Sequence, residues 1–99
     1  MTVEEIKGEG IMQLNVSGRI DAMNATEFQN AILKAFQKSD KVVLDMREVQ
    51  YISSAGLRGL MIGHKTAGSK GGRFTLINVC PAVMEILRVT GLDKALNIQ

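Results

Sequence analysis

Apolar and polar residues alternate in the first segment of the chain, as expected of strands with one buried face. Every second residue from Met12 to Val16 is apolar, so Ile11 to Ser17 is predicted to be a strand. A shorter candidate strand, Val3 to Lys7, precedes it. Because Gly8-Glu9-Gly10 between them is typical of a turn, the two strands are predicted to form an antiparallel hairpin.

A helical period replaces this alternation after Asp21. Asn24 is a favourable N-cap residue, and Glu27 three positions later completes a capping-box pattern, so a helix is predicted from here to about Lys38. Its apolar positions fall on one face, as expected of a helix packed on a sheet. They are Phe28, Ala31, Ile32, Ala35 and Phe36.

Strands and helices alternate through the rest of the chain. The continuous apolar run Val42 to Asp45 is typical of a strand buried on both faces. The other predicted segments are a helix from about Ala55 to Ala67, a flexible turn at Gly68 to Gly72, a strand at Phe74 to Asn78, a helix from Pro81 to about Gly91, and a tail in which Leu92, Leu96 and Ile98 pack.

The order β-β-α-β-α-β-α defines the fold class. We expect one α/β domain over residues 1–99, with a mixed, mostly parallel four- to five-stranded sheet, an N-terminal hairpin and right-handed crossovers. A chain of 99 residues has the usual length of a single domain.

Composition excludes several classes of partner. The net charge is +2 and aromatic residues make up 4%, which argues against nucleic-acid binding. No apolar run approaches the ~18 residues that span a bilayer, and no signal-peptide pattern is visible, so no membrane insertion is predicted. The single cysteine, Cys80, fits a reducing compartment, and we expect a cytoplasmic protein.

The common catalytic motifs are absent from the sequence. Ser53 and Ser54 lie outside any G-x-S-x-G pattern, and His64 is the only histidine. With so few His and Cys residues, no metal site is predicted, and no phosphate-binding glycine loop opens a helix. The sequence therefore predicts no enzyme and no cofactor. The enzymatic alternative is Ser54 as a nucleophile, with Asp21 or His64 as its base.

The two adjacent serines are the most informative residues, because they directly precede the second helix. A helix start has free backbone N–H groups and a positive dipole end, so a phosphate on a serine there is well tolerated. The alternative role for Ser54 is a plain N-cap. If the second and third strands are parallel neighbours, Asp21 lies at the same sheet edge as these serines.

Small residues form a stripe along the second helix, at Gly56, Gly59, Gly63 and Ala67. Each glycine costs up to ~1 kcal/mol against alanine inside a helix, so the stripe needs an explanation. One explanation is tight packing on the sheet. The other is a docking face near Ser54, with Gly56 exposed in the first turn.

Three segments together resemble the STAS domain of bacterial anti-sigma factor antagonists. They are Gly18-x-Ile20-Asp21, Val43-Leu44-Asp45-Met46 and Ile52-Ser53-Ser54-Ala55-Gly56-Leu57. The resemblance covers nearly the whole chain and implies a phospho-acceptor serine at Ser54. The family usually has Asp where this chain has Ser53, and Ser or Thr where it has Ala55, which leaves Ser53 as a rival acceptor.

The resemblance also implies partners. An anti-sigma factor serine kinase would bind the unphosphorylated chain and release it on phosphorylation, and a PP2C-type phosphatase would reset the switch. The residues expected to contact the partner are Asp21, Asn24, Ser53, Ala55, Gly56 and Leu57. The alternative is a non-phosphorylated scaffold subunit of a transporter or of a stress-signalling complex.

Overall fold

Nine elements follow one another in a computed structural model that describes residues 1–99. They are β1 (Thr2–Lys7), β2 (Met12–Ser17), α1 (Ala25–Lys38), β3 (Lys41–Glu48), α2 (Ser54–Lys70), β4 (Arg73–Ile77), α3 (Pro81–Val89), α4 (Leu92–Ala95) and β5 (Asn97–Ile98). None of the helices combines the length and the apolar character needed to cross a membrane.

The five strands form one sheet in the order β1-β2-β3-β4-β5. β1 and β2 form the predicted antiparallel hairpin, and every later neighbouring pair is parallel. The predicted mixed, mostly parallel α/β fold is thus confirmed. The C-terminal tail adds the helical turn α4 and the edge strand β5, which the sequence pattern had not separated from each other.

The helices lie on one face of the sheet. Consecutive parallel strands that are added in one direction, with right-handed crossovers, place every connecting helix on the same side. One cluster of 21 buried apolar residues fills the space between the helices and this inner face. It includes Leu14 of β2, Leu44 of β3 and Leu76 of β4, which are fully buried.

The expectation that β3 is buried on both faces is wrong. Val42, Leu44 and Met46 are buried against the helices, whereas Val43 and Asp45 are half-buried on the other face. The physical reason is the single helical layer, because β3 is central in the sheet but no helix covers its outer face. An apolar run therefore did not distinguish a strand covered on both sides from one covered on one side.

The predicted flexible turn at Gly68 to Gly72 is also wrong in part. α2 continues to Lys70 and ends at Gly71, whose φ of 67° is the left-handed conformation that glycine adopts without strain. Gly72 donates its N–H to the carbonyl of Ala67 at 2.8 Å, so the helix end is closed by defined hydrogen bonds. Only Gly71 and Gly72 form the turn.

Candidate functional site

A backbone bridge between Ile20 and Ile52 joins the two segments that hold the predicted site. The N–H of Ile20 donates to the carbonyl of Tyr51 at 3.1 Å, and the N–H of Ser53 donates to the carbonyl of Ile20 at 2.8 Å. β2 and β3 are parallel neighbours, as required for this arrangement. The predicted meeting of Asp21 with the serine pair at one sheet edge is therefore confirmed.

Ser53, and not Ser54, is the N-cap of α2. The Ser53 Oγ accepts a hydrogen bond from the N–H of Gly56 at 3.3 Å, and its carbonyl accepts from the N–H of Leu57 at 2.9 Å. The alternative in which Ser54 acts as a plain N-cap is thus wrong. Ser54 is the first residue of the helix, is exposed, and its hydroxyl makes no hydrogen bond to another residue of the chain.

Asn24 closes the loop before α1 instead of capping the helix with its side chain. Its Oδ1 accepts from the N–H of Asp21 at 2.9 Å, and its Nδ2 donates to the carbonyl of Arg19 at 2.9 Å. The predicted capping box with Glu27 is therefore wrong, because the amide is already satisfied within the loop and makes no capping bond. The carboxylate of Asp21 accepts from the N–H of Met23 at 3.0 Å, which stabilises the same loop.

The glycine stripe of α2 packs inward. A Cβ at Gly56 would lie 2.6 Å from Ile52 and 2.7 Å from Ile20, and one at Gly63 would lie 2.8 Å from the ring of Phe74. The expected exposure of Gly56 is wrong, and Leu57 is only 9% exposed. These glycines let α2 approach the sheet and α1 closely, so the packing explanation holds.

The predicted contact residues thus divide into two groups. Gly56 and Leu57 lie on the buried side of the first turn of α2, where a partner would not reach them. Asp21, Asn24, Ser53 and Ala55 are half-buried around the exposed Ser54. The accessible part of the predicted site is therefore the loop before α1 together with the first turn of α2.

Sequence reasoning missed three residues on this edge: Arg19, Met23 and Tyr51. The guanidinium carbon of Arg19 lies 4.2 Å from the centre of the Tyr51 ring. Met23 is 96% exposed, more than any other large apolar side chain of the chain. An apolar residue in a short polar loop was the available signal for Met23. The stacked pair becomes visible only when the pairing of Ile20 with Ile52 is known.

The site lies beside an open groove and not in an enclosed cavity. The groove has a volume of about 450 Å³ and is lined by Gly18, Arg19, Glu48, Gln50 and Tyr51. A larger open hollow of about 620 Å³ lies away from the serines, between β1 and α1, beside the ion pair of Lys38 with Glu5. An open surface of this kind suits a protein partner better than an enclosed small substrate.

Of the two candidate bases for an enzymatic use of Ser54, His64 lies far from it. His64 is ten residues further along the same helix, which places it about 15 Å away at 1.5 Å per residue. It lines a different groove, together with Phe74 and Asn97. The carboxylate of Asp21 accepts a hydrogen bond from the loop backbone.

Replacing Asn24 with alanine is expected to lower the free energy of unfolding by about 1–2 kcal/mol, because two backbone groups of the loop lose their partner. Urea unfolding of the purified protein measures this change. Asn30→Ala is the control, since Asn30 is exposed on α1 and makes no side-chain hydrogen bond. Equal stability of the two variants would show that the Asn24 amide does not stabilise the loop.

Comparison with known proteins gives consistent matches over nearly the whole chain. A family profile described as "Mlab, STAS domain" matches residues 5–98. The anti-sigma-B factor antagonist of Listeria monocytogenes is 30% identical over 87 residues, which cover 85% of this chain and 75% of the relative. The anti-sigma-B factor antagonist of Bacillus subtilis is 24% identical over 99 residues, covering 99% and 90% of the two chains.

Solved structures extend the match to three dimensions. A crystal structure of an anti-sigma factor antagonist from Mycobacterium paratuberculosis aligns with a TM-score of 0.86 and 28% identity. The alignment covers 98% of this chain and 83% of that one. The sheet order, the hairpin and the helix that begins at Ser54 therefore belong to a fold shared with these regulators.

Proposed function

We propose that this chain, which belongs to the STAS-domain family of anti-sigma factor antagonists, is a phosphorylation-controlled binding protein. When unphosphorylated it binds an anti-sigma factor with serine-kinase activity, and phosphorylation of Ser54 by that kinase releases it. A PP2C-type phosphatase restores the binding form. The observation that carries this proposal is the free, exposed hydroxyl of Ser54 at the start of α2, beside the Asp21 loop.

The environment of the two serines supports Ser54 as the acceptor. A kinase needs a hydroxyl that can reach its active site, and the Oγ of Ser54 is exposed and makes no hydrogen bond within the chain. Ser53 is half-buried, and its Oγ accepts the capping hydrogen bond from Gly56. The hydroxyl of Ser53 is therefore less available to a kinase than that of Ser54.

The start of α2 is suited to hold a phosphate without a change of fold. A phosphoserine adds about −1.5 to −2 charges, which the positive end of the helix dipole stabilises. No acidic residue occupies the first turn of α2 to oppose it. Arg58 is exposed and lies four residues after Ser54, on the same side of the helix, where it can pair with the phosphate.

Phosphorylation of Ser54 would leave the fold intact but would weaken the binding of a partner. A partner packed on Ser54 and the neighbouring loop would have to desolvate the new charge and accommodate its volume. The switch therefore acts by blocking the interface, while the fold of the chain stays the same.

Incubation with the cognate anti-sigma kinase and ATP is expected to add one phosphate to the wild-type chain and to Ser53→Ala, and none to Ser54→Ala. Intact-mass and peptide mass spectrometry locate the phosphate. Ser53→Ala is the control because it removes the neighbouring hydroxyl, together with its cap on α2, and leaves Ser54 in place. A phosphate on Ser53 in the Ser54→Ala variant would contradict this assignment.

A scaffold subunit is the second candidate, favoured by one observation on the acceptor segment. Ser53 stands where the family usually has an acidic residue, and here it serves as a neutral N-cap. In a scaffold, the chain isolated from its host would carry no phosphate under any growth condition, and it would copurify with a transporter ATPase or a stress-signalling complex. Phosphate on Ser54 in host-derived protein would exclude this candidate.

A further inference from the structure

Arg19 and Tyr51 form a stacked pair on the same edge of the sheet as Ser54. The guanidinium carbon lies 4.2 Å from the ring centre, within the range of a cation–π interaction. Both ion pairs of the chain involve other residues, and the guanidinium donates no hydrogen bond within the chain. Arg19 is therefore a positive charge that is held in place and forms no ion pair within the chain, although Glu48 lines the same groove.

Met23 is the second unusual feature of this edge. It is 96% exposed, whereas the next most exposed large apolar residue, Val89, is 69% exposed. The loop that presents Met23 is fixed by its own hydrogen bonds. The N–H of Met23 donates to the carboxylate of Asp21 at 3.0 Å, and the N–H of Asn24 donates to the carbonyl of Asp21 at 3.2 Å.

The Ile20–Ile52 bridge brings Arg19 and Tyr51 side by side, and the loop that presents Met23 follows directly along the chain. Arg19 and Tyr51 are the residues directly before the two bridged positions, and Met23 follows Ile20 by three residues. Arg, Tyr and Met are among the residue types enriched at protein interfaces. A stacked guanidinium and a hydrogen-bonded loop lose little freedom on binding, so less ordering free energy opposes association.

We infer that Arg19, Tyr51 and Met23 form the surface that selects the partner, an anti-sigma factor that presents a carboxylate beside an apolar pocket. This inference rests on the proposed function. The planar guanidinium of Arg19 forms a bidentate pair with the carboxylate of the partner. Met23 enters the apolar pocket, and the ring of Tyr51 keeps the guanidinium in its binding orientation. Ser54 then controls whether the complex forms, and this surface determines with which anti-sigma factor.

The test measures the affinity of the purified chain for the purified serine-kinase anti-sigma factors of its host by isothermal titration calorimetry. Arg19→Glu is expected to weaken binding to the cognate kinase about 30-fold or more, as for a central charged contact. Arg73→Glu is the matched control because the substitution changes the charge by the same amount. Arg73 is exposed at the start of β4, at the end of the sheet opposite to Arg19. It should leave the affinity within twofold of wild type.

Two further variants separate the elements of the surface. Arg19→Gln, which removes the charge without inverting it, is expected to weaken binding about tenfold and keeps the test valid should the Glu variant unfold. Met23→Ala is also expected to weaken binding about tenfold, and Val89→Ala, another truncation of an exposed apolar residue, should have no effect. A charge-reversal scan of the exposed carboxylates of the kinase should find one variant that binds Arg19→Glu more tightly than it binds wild type.

Each contrary outcome has a distinct meaning. If the Arg19 and Met23 variants bind like wild type while Ser54→Asp still blocks binding, the selecting surface is disproved and the proposed function stands. If no anti-sigma kinase of the host binds the unphosphorylated wild-type chain, both are disproved. If the Arg19 variants change self-association in sedimentation and leave kinase binding unchanged, the surface pairs two copies of this chain, which also disproves the inference.

Discussion

Ser54→Asp is expected to bind the anti-sigma kinase about 100-fold more weakly than wild type, a loss of about 2.7 kcal/mol. The new carboxylate would lie at the first, exposed position of α2, where a bound partner would cover it. Desolvating a charge without a compensating partner costs several kcal/mol, so even a single negative charge should suffice. Isothermal titration calorimetry of the two proteins with the same kinase measures the ratio.

The stability of the same variant is expected to stay at or slightly above the wild-type value. A carboxylate in the first turn interacts favourably with the helix dipole, by about 0.3–1 kcal/mol. Thermal unfolding therefore distinguishes an interface effect from misfolding.

Ser69→Asp is the matched control, because Ser69 is exposed in the last turn of α2, about 22 Å from Ser54 along the helix. It should bind the kinase as tightly as wild type. Unchanged affinity of Ser54→Asp, with both variants folded, would contradict the interface-blocking mechanism.

Gly72→Ala is expected to lower the free energy of unfolding by about 3 kcal/mol, equivalent to a fall of about 15 °C in the midpoint of thermal unfolding. A Cβ at this position would lie 1.9 Å from the backbone carbonyl oxygen of Asp40. That oxygen accepts a hydrogen bond from the N–H of Arg73 at 2.9 Å, where β3 and β4 begin side by side. Relief of the clash requires the two strands to separate or the chain to bend.

The control for this prediction is Gly68→Ala, near the end of α2. A Cβ there would have no neighbour within 4 Å, and Gly68 lies inside α2, so the substitution should stabilise the protein by up to about 1 kcal/mol. Urea and thermal unfolding of both variants give the comparison. A Gly72→Ala protein within about 0.5 kcal/mol of wild type would show that the turn relaxes without cost.

Local sequence patterns predicted some features of the candidate site and left others undetermined. The serine pair was identified as the start of a helix because a helical period follows it directly, and Asp21 was placed at the same edge from strand order alone. Which serine caps the helix was not determined by the pattern, since both are good N-cap residues. The hydrogen bond between Ser53 and Gly56 decided it, and that bond depends on where the Ile20–Ile52 bridge fixes the backbone.

Asn24 shows the opposite case, in which a strong local pattern was overruled. Its spacing to Glu27 matches a capping box, yet the amide binds backbone groups of Asp21 and Arg19. The loop conformation brings those groups within reach of the side chain. An amide whose hydrogen bonds are already made gains no free energy by exchanging them for a capping hydrogen bond. Local propensity was outweighed here by contacts within the folded loop.

The sequence by itself determined the hairpin, the alternation of strands and helices, the parallel sheet and the position of the serine pair, because these depend on periodicity and on chain connectivity. Only the tertiary structure decided that the outer face of β3 lacks a helix, that the glycines of α2 face inward and that Arg19 stacks on Tyr51. Each of these depends on which distant segments touch. Such contacts are set by strand register and by close packing across the whole core, which no short stretch of sequence encodes.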